Sequence, residues 1–278
     1  MTQTQKVIKY CAIAFAILLI VAIFSGIVEA VSAIASVFKK GSNVAGETVT
    51  HGLSDLESVK DLDISIGAAA LEIKCGEAFS VESNHKYLKA QVKNGTLTIE
   101  DETPFGVNRS DGAQVILTVP NGFSFNRAEI ETGAGKLTAE SLCAEKLYME
   151  LGAGETVFEN LTVTGEAEIE TGFGKLSVLG GSVGELEIAV GVGDVSLRLE
   201  LTEKGRFECG IGNAELVLLG LEENYTVSVE KGIGAATVDG RSVSNDEKIG
   251  NGSVFVEVQG GIGNIQISFD KREQQGGF

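Results

Sequence analysis

This 278-residue chain is short of the residues from which reactive and metal sites are usually built. It has two histidines, four cysteines, no tryptophan and two prolines, and its 22 Lys and Arg face 39 Asp and Glu. Lys6, Lys9, Lys39, Lys40 and Glu29 precede residue 41, so residues 41–278 carry 18 bases and 38 acids, a net charge near −20. Phosphate binding needs clustered Lys and Arg, so this balance excludes nucleic acid and argues against anionic lipid as a partner of that part. The plain reading of the excess is a solvated acidic surface. His51 and His85 stand isolated, and no Cys/His group has zinc spacing. Cys75, Cys143 and Cys209 fall in unrelated strand segments. An odd number in an exported domain excludes a disulfide framework and predicts buried thiols. Beyond Phe38 no stretch has helical periodicity.

Glycine, by contrast, is abundant at 36 residues, and it is periodic. From Glu129 to Leu219 one short unit recurs: alternating apolar and acidic residues, then Gly-x-Gly, then a second alternating run. The pairs are Gly133/Gly135, Gly152/Gly154, Gly172/Gly174, Gly191/Gly193 and Gly210/Gly212, their first glycines 19, 20, 19 and 19 residues apart. Looser copies stand at Gly232/Gly234 and Gly261/Gly263, and a degenerate one at Gly67-Ala68-Ala69. A fixed period near 20 marks a repeat architecture, in which each unit buries its apolar face against its neighbours.

Aligned on the first Gly, the copies place Ile64, Ile130, Met149, Ile169, Ile188, Phe207, Val229 and Val258 three positions before it. Leu71/Ile73, Leu137/Ala139, Leu176/Val178, Val195/Leu197 and Ile265/Ile267 lie four and six after it. Side chains alternate along a strand, so these columns face one core. The middle residues of the pairs (Ala134, Ala153, Phe173, Val192, Ile211, Ile233, Ile262) are also apolar, which predicts a corner pointing inward. The expected fold is all-β, a single-stranded parallel β-solenoid of about 20-residue rungs, with an antiparallel β-sandwich as the alternative. Short strands are expected over 62–66, 71–73 and within 81–92. Asn94-Gly95 signals a hairpin, and the strand 115–119 stops at Pro120-Asn121-Gly122.

The N-terminus differs. Tyr10–Val28 is 19 residues of nearly unbroken apolar character behind Lys6 and Lys9, long enough as a helix to reach about 28 Å. The expected layout is a cytoplasmic stretch at 1–9, an anchor and juxtamembrane helix at 10–38, a linker at 39–50, the repeat domain at 51–270 and a tail at 271–278. Lys6, Lys9 and the free amine favour an N-inside orientation with the repeats outside. A cleaved signal peptide, cut near Glu29-Ala30 or Ala35, is the rival.

Motifs for chemistry do not assemble. No Gly-x-Gly copy supplies the third glycine or opens a helix, so none is a dinucleotide fingerprint. Gly180-Gly181-Ser182-Val183-Gly184 matches a nucleophile elbow, but a strand follows it and no histidine lies beyond His85. Asp194 does not recur at the nine-residue period of calcium-binding β-rolls. No enzyme and no cofactor are expected. The constellation that remains is Glu131, Glu150, Glu170, Glu208 and Glu230, each two before a first Gly and interrupted by Ala189. Stacked at about 4.8 Å, these like charges repel. They call for solvent, a basic partner or a weak calcium ion. Lys136, Glu155, Lys175 and Asp194 alternate in sign three positions after the first Gly and should stabilise the stack.

The acidic Gly-x-Gly units, the Val119-Pro120-Asn121-Gly122 strand end and the N-terminal anchor resemble the bacterial putative-adhesin family, a domain of unknown function with β-strand repeats. The resemblance spans about residues 50–270. It implies a β-solenoid on the cell envelope, in adhesion or a structural role, holding a protein or glycan surface, with the membrane met through residues 10–28. The alternative it implies is an accessory or sensor of an envelope-stress signalling system. It brings no catalytic residue.

Overall fold

The computed structural model describes residues 47–104, 112–245 and 247–270, all within the compact unit Val44–Phe278. The proposed anchor at 10–38 and the tail at 271–278 lie outside the described residues. Among the described residues no helix is long and apolar enough to cross a membrane. Apart from single 3₁₀ turns at Leu56–Ser58 and Glu222–Asn224, regular structure there is all strand.

The chain enters through β1 (Val49–Thr50), β2 (Asp61–Ala68), β3 (Ala70–Gly76), β4 (Ser80–Ser83), β5 (Leu88–Lys93), β6 (Thr96–Asp101) and β7 (Gln114–Pro120). Its middle is four long strands, β8 (Phe125–Ala139), β9 (Leu142–Phe158), β10 (Leu161–Val178) and β11 (Gly181–Ile211). It closes with β12 (Ala214–Leu219), β13 (Tyr225–Ile233), β14 (Ala236–Val238), β15 (Arg241–Ser242), β16 (Lys248–Gly250), β17 (Val254–Ile262) and β18 (Ile265–Asp270). Parallel in-register ladders join β8 to β9, β9 to β10 and β10 to β11, so successive repeats stack as levels of a solenoid. Within a central level the chain runs along three short sides, in β10 residues 161–163, 166–171 and 173–178. The register shift after Val163 places one extra residue in β10 relative to both neighbours, which is why that period is 20 and the others 19.

Both core columns read from the alternation are buried. Ile64, Ile130, Ile169 and Val258 are fully enclosed, and Leu71, Leu137, Leu176 and Ile265 face them from the side beyond the glycines. The middle residue of each pair, however, turns outward. Ile262 is 50% and Ile233 73% exposed, while Ala134, Ala153, Phe173 and Val192 are half-buried. The inward corner predicted for them is wrong because two glycines reverse the outward–inward alternation at the bend, the second at positive φ (+135° at Gly174).

The stacking order departs from sequence order at both ends. β2 lies between β6 and β8, and β3 between β7 and β8, so the first repeat forms the second level and β6–β7 form the terminal one. At the far end β17 sits between β11 and β13, and β18 between β12 and β14. The last repeat in sequence is thus the penultimate level. Antiparallel strands cover the outer edges: β5 on β6 and β4 on β7 at one end, β16 on β13 and β15 on β14 at the other. Such covering blunts the edge-to-edge association that an open parallel stack invites. The β5–β6 connection is the hairpin expected at Asn94-Gly95, both residues at positive φ.

Candidate functional site

The sheet formed by the first strand of each repeat presents three outward columns, and they handle charge differently. The two columns farther from the glycines hold bases that pair with some of their carboxylates. Arg127 pairs with Glu129 at 2.9 Å and stacks on the Tyr148 ring at 4.3 Å, and Tyr148 donates its hydroxyl to Glu166. Lys204 pairs with Glu185, and Arg206 lies 3.9 Å from Glu187 and 3.5 Å from Glu257. The third column is the predicted glutamate ladder, and the register puts Glu131, Glu150 and Glu170 on successive levels but separates Glu208 from Glu230 by Gln259. Ser65 stands beside Glu131, Glu131 beside Glu150, Glu150 beside Glu170 and Glu170 beside Ala189. On the level after Ala189 comes Glu208, which stands beside Gln259, and Gln259 beside Glu230. Within this column the contact seen is a 3.4 Å hydrogen bond from the Ser65 hydroxyl to Glu131.

Beside the ladder runs an open groove of about 1000 Å³, lined by these side chains and by the first glycines from Gly67 to Gly261. Its glycines are dictated by stacking. A Cβ on Gly172 would stand 2.7 Å from the carbonyl oxygen of Gly152, and one on Gly210 2.5 Å from that of Gly191. Each level therefore closes on the next only where the side chain is missing, and the same absence hollows the floor beside the carboxylates. Asp101 lines the groove as well, and Lys231 adds its one lysine.

Asp101 belongs to a cluster that the sequence reading missed. His85 is buried, not isolated: its Nε2 lies 3.0 Å from Asp101 Oδ1, and both side chains are almost wholly enclosed. Tyr87 N–H donates to His85 Nδ1 at 3.3 Å, so the ring proton sits on Nε2 and points at the carboxylate. Burial alone would raise the Asp101 pKa. Hydrogen bonds from the Thr103 hydroxyl and N–H, together with the His85 side chain, outweigh it and hold the carboxyl below its ordinary value. Thr103 and Asp101 meet the same His85 nitrogen. The three form an enclosed structural knot: the nitrogen opposite the carboxylate, where a relay would hold its nucleophile, accepts instead from the Tyr87 backbone N–H. The signal available in sequence was the Asn94-Gly95 turn, which sets Leu88 opposite Asp101 and so places His85 nearby.

Nearer the ladder, Asp63 has its pKa raised by burial first and then by Glu129 and Glu131, against the lowering pull of Arg127. Among the described residues no three His, Cys, Asp or Glu side chains converge as a metal site, so the calcium expectation finds no ligand set. Of the three thiols expected to be buried only Cys209 is. Cys143 is half-buried and Cys75 exposed, Cys75 lying past Ile73–Ala139, where the ladder of β3 to β8 ends. The alternating column holds in part: Lys136 and Glu155 pair at 3.1 Å. Asp194 instead accepts from the N–H and side-chain amide of Asn213, and Asn213 from those of Asn264.

A stack of bent, glycine-hinged strands around one core, with a groove of carboxylates on its outside, defines an all-β repeat protein of the β-solenoid kind. The chain belongs to the Toastrack DUF4097 family, whose model matches residues 59–275. Solved structures similar to it include a putative adhesin from Bacteroides fragilis, at 14% identity and a TM-score of 0.46, covering 79% of this chain and 95% of that one. A putative cell adhesion protein from Clostridium sporogenes follows at 15% identity and a TM-score of 0.38, covering 81% and 99%. A putative lipid binding protein from Parabacteroides distasonis stands at 14% and 0.43, covering 80% and 97%. No curated protein matches the chain.

Proposed function

We propose that the protein is a non-catalytic, membrane-anchored β-repeat protein of the bacterial envelope that acts by presenting its outer face, in adhesion or in a structural role. One observation carries this reading. On a single sheet face the bases stand in the two columns farther from the groove, where Arg127, Lys204 and Arg206 pair with carboxylates, whereas among the described residues the glutamate column along the groove holds no base. The apolar run Tyr10–Val28 supplies the anchor in this reading, and its lysine flank sets the repeats outside.

The test has two arms. Full-length protein should remain in carbonate-washed membranes and be cut by protease added to intact cells; a mature chain beginning near Val31 would remove the anchor. Cells producing the protein should attach to other cells or to envelope-coated surfaces more than cells lacking it. Equal attachment, with the protein exposed, would refute the adhesive role.

A further inference from the structure

The groove is one edge of an amphipathic surface. Immediately beyond its glycines runs the column of middle residues, which is apolar along its length, Ala134 and Ala153 giving way to Phe173, Val192, Ile211, Ile262 and Ile233. The last two are left 50% and 73% exposed, an unusual placement for aliphatic side chains without a partner. Thr171 lines the groove next to Glu170. It is more than nine-tenths buried, and its hydroxyl has no hydrogen-bond partner among the described residues.

Resting on the reading that this face is a binding surface, we propose that the groove takes an α-helix of a partner chain, laid along the stack. One edge of that helix is rich in Lys or Arg and the adjoining edge is aliphatic. Carboxylates on one side and aliphatic side chains on the other, with a glycine floor between, complement those two edges. The spacing favours a helix over an extended strand. Levels repeat at about 4.8 Å and helical turns at about 5.4 Å, whereas side chains on one face of a strand recur only every 6.6–6.8 Å or so. The six steps from the Glu131 level to the Glu230 level span about 29 Å, the length of a helix of roughly 20 residues. The small mismatch falls within the reach of Lys and Arg side chains.

The test uses the full chain in nanodiscs of zwitterionic lipid, with empty discs subtracted, and reads fluorescence anisotropy of labelled synthetic peptides. A leucine–lysine peptide of about 20 residues, patterned as an amphipathic helix, should bind saturably and more weakly as salt rises. A peptide of the same composition scrambled to abolish the apolar edge should bind about tenfold more weakly. Glu131→Gln with Glu150→Gln and Glu170→Gln should weaken the helix by about tenfold. Ile233→Ser with Ile262→Ser should also weaken it, circular dichroism and melting confirming that each variant is folded. Equal binding of the scrambled peptide, or unchanged affinity in the triple glutamine variant, overturns the proposal. If these peptides fail while producing cells still attach, this inference alone falls; if attachment is lost as well, the adhesive reading falls with it.

Discussion

Replacing Gly174 by alanine tests whether the glycine columns exist for stacking. Gly174 adopts φ +135°, where an L side chain is strained by about 1–3 kcal/mol. The new Cβ would also lie 2.8 Å from the carbonyl carbon of Gly154 in the level beneath, and closer still to its oxygen. Relieving that contact means separating the levels by about an ångström, which weakens the ladder around Phe173–Ala153 and Lys175–Glu155. Each lost backbone bond costs about 0.5–1.5 kcal/mol net. Together the terms reach about 3–6 kcal/mol, a large part of the 5–15 kcal/mol that typically separates folded from unfolded. The chain holds its own control. Ala69 occupies the matching position in the second level, where the ladder to the terminal level stops at Ser65–Glu100 and resumes at Ala70–Gln114. Ala69→Gly should therefore change stability by less than about 1 kcal/mol. Urea unfolding followed by circular dichroism reads both variants. A Gly174→Ala midpoint equal to that of the parent, or equal damage from the two changes, would refute the reasoning.

Ile169→Asp places a charge in a fully buried position between Met149 and Ile188 and should cost several kcal/mol, spreading to neighbouring levels because each supports only the next; an unchanged melting temperature and cooperativity would remove that column from the core. The two perturbed carboxylates should respond to pH in opposite directions. Asp101 has a depressed folded pKa, so its stabilisation is full above the unfolded value of 3.8 and is lost as pH falls below it toward the folded value. Asp101→Asn should remove that part of the acid limb in a pH-resolved melting series. Asp63 has a raised folded pKa, so stability falls as pH rises through it. Asp63→Asn should melt higher than the parent at pH 7 and lose that advantage in acid.

The repeat, its core columns and the glutamate ladder were legible because period and alternation are properties of single residues. Counting two back from Gly67 and Gly261 would also have added Ser65 and Gln259 to the ladder. The order of levels was not legible. Val229 and Val258 carry the same pattern, and either could stack on Phe207; the sequence does not say which, and Val258 does. The asparagine ladder records the answer, since Asn213 receives Asn264 and Asn264 receives the N–H of Ala235. The inward corner failed because alternation was carried through a pair of glycines that breaks it. The His85–Asp101 contact failed because it bridges the two arms of a hairpin, 16 residues apart along the chain.

The intercalated ends bear on how the protein takes a mechanical load. In a solenoid wound in sequence order, tension on a terminus peels the outermost level from a single neighbour, and unravelling proceeds level by level. Here β2 is gripped by β6 and β8, and β18 by β12 and β14. A tug at either end must therefore shear two ladders at once before any level comes away. The caps that would otherwise fray first are closed loops of chain with no free end to pull. That winding resists unzipping with no disulfide among the described residues.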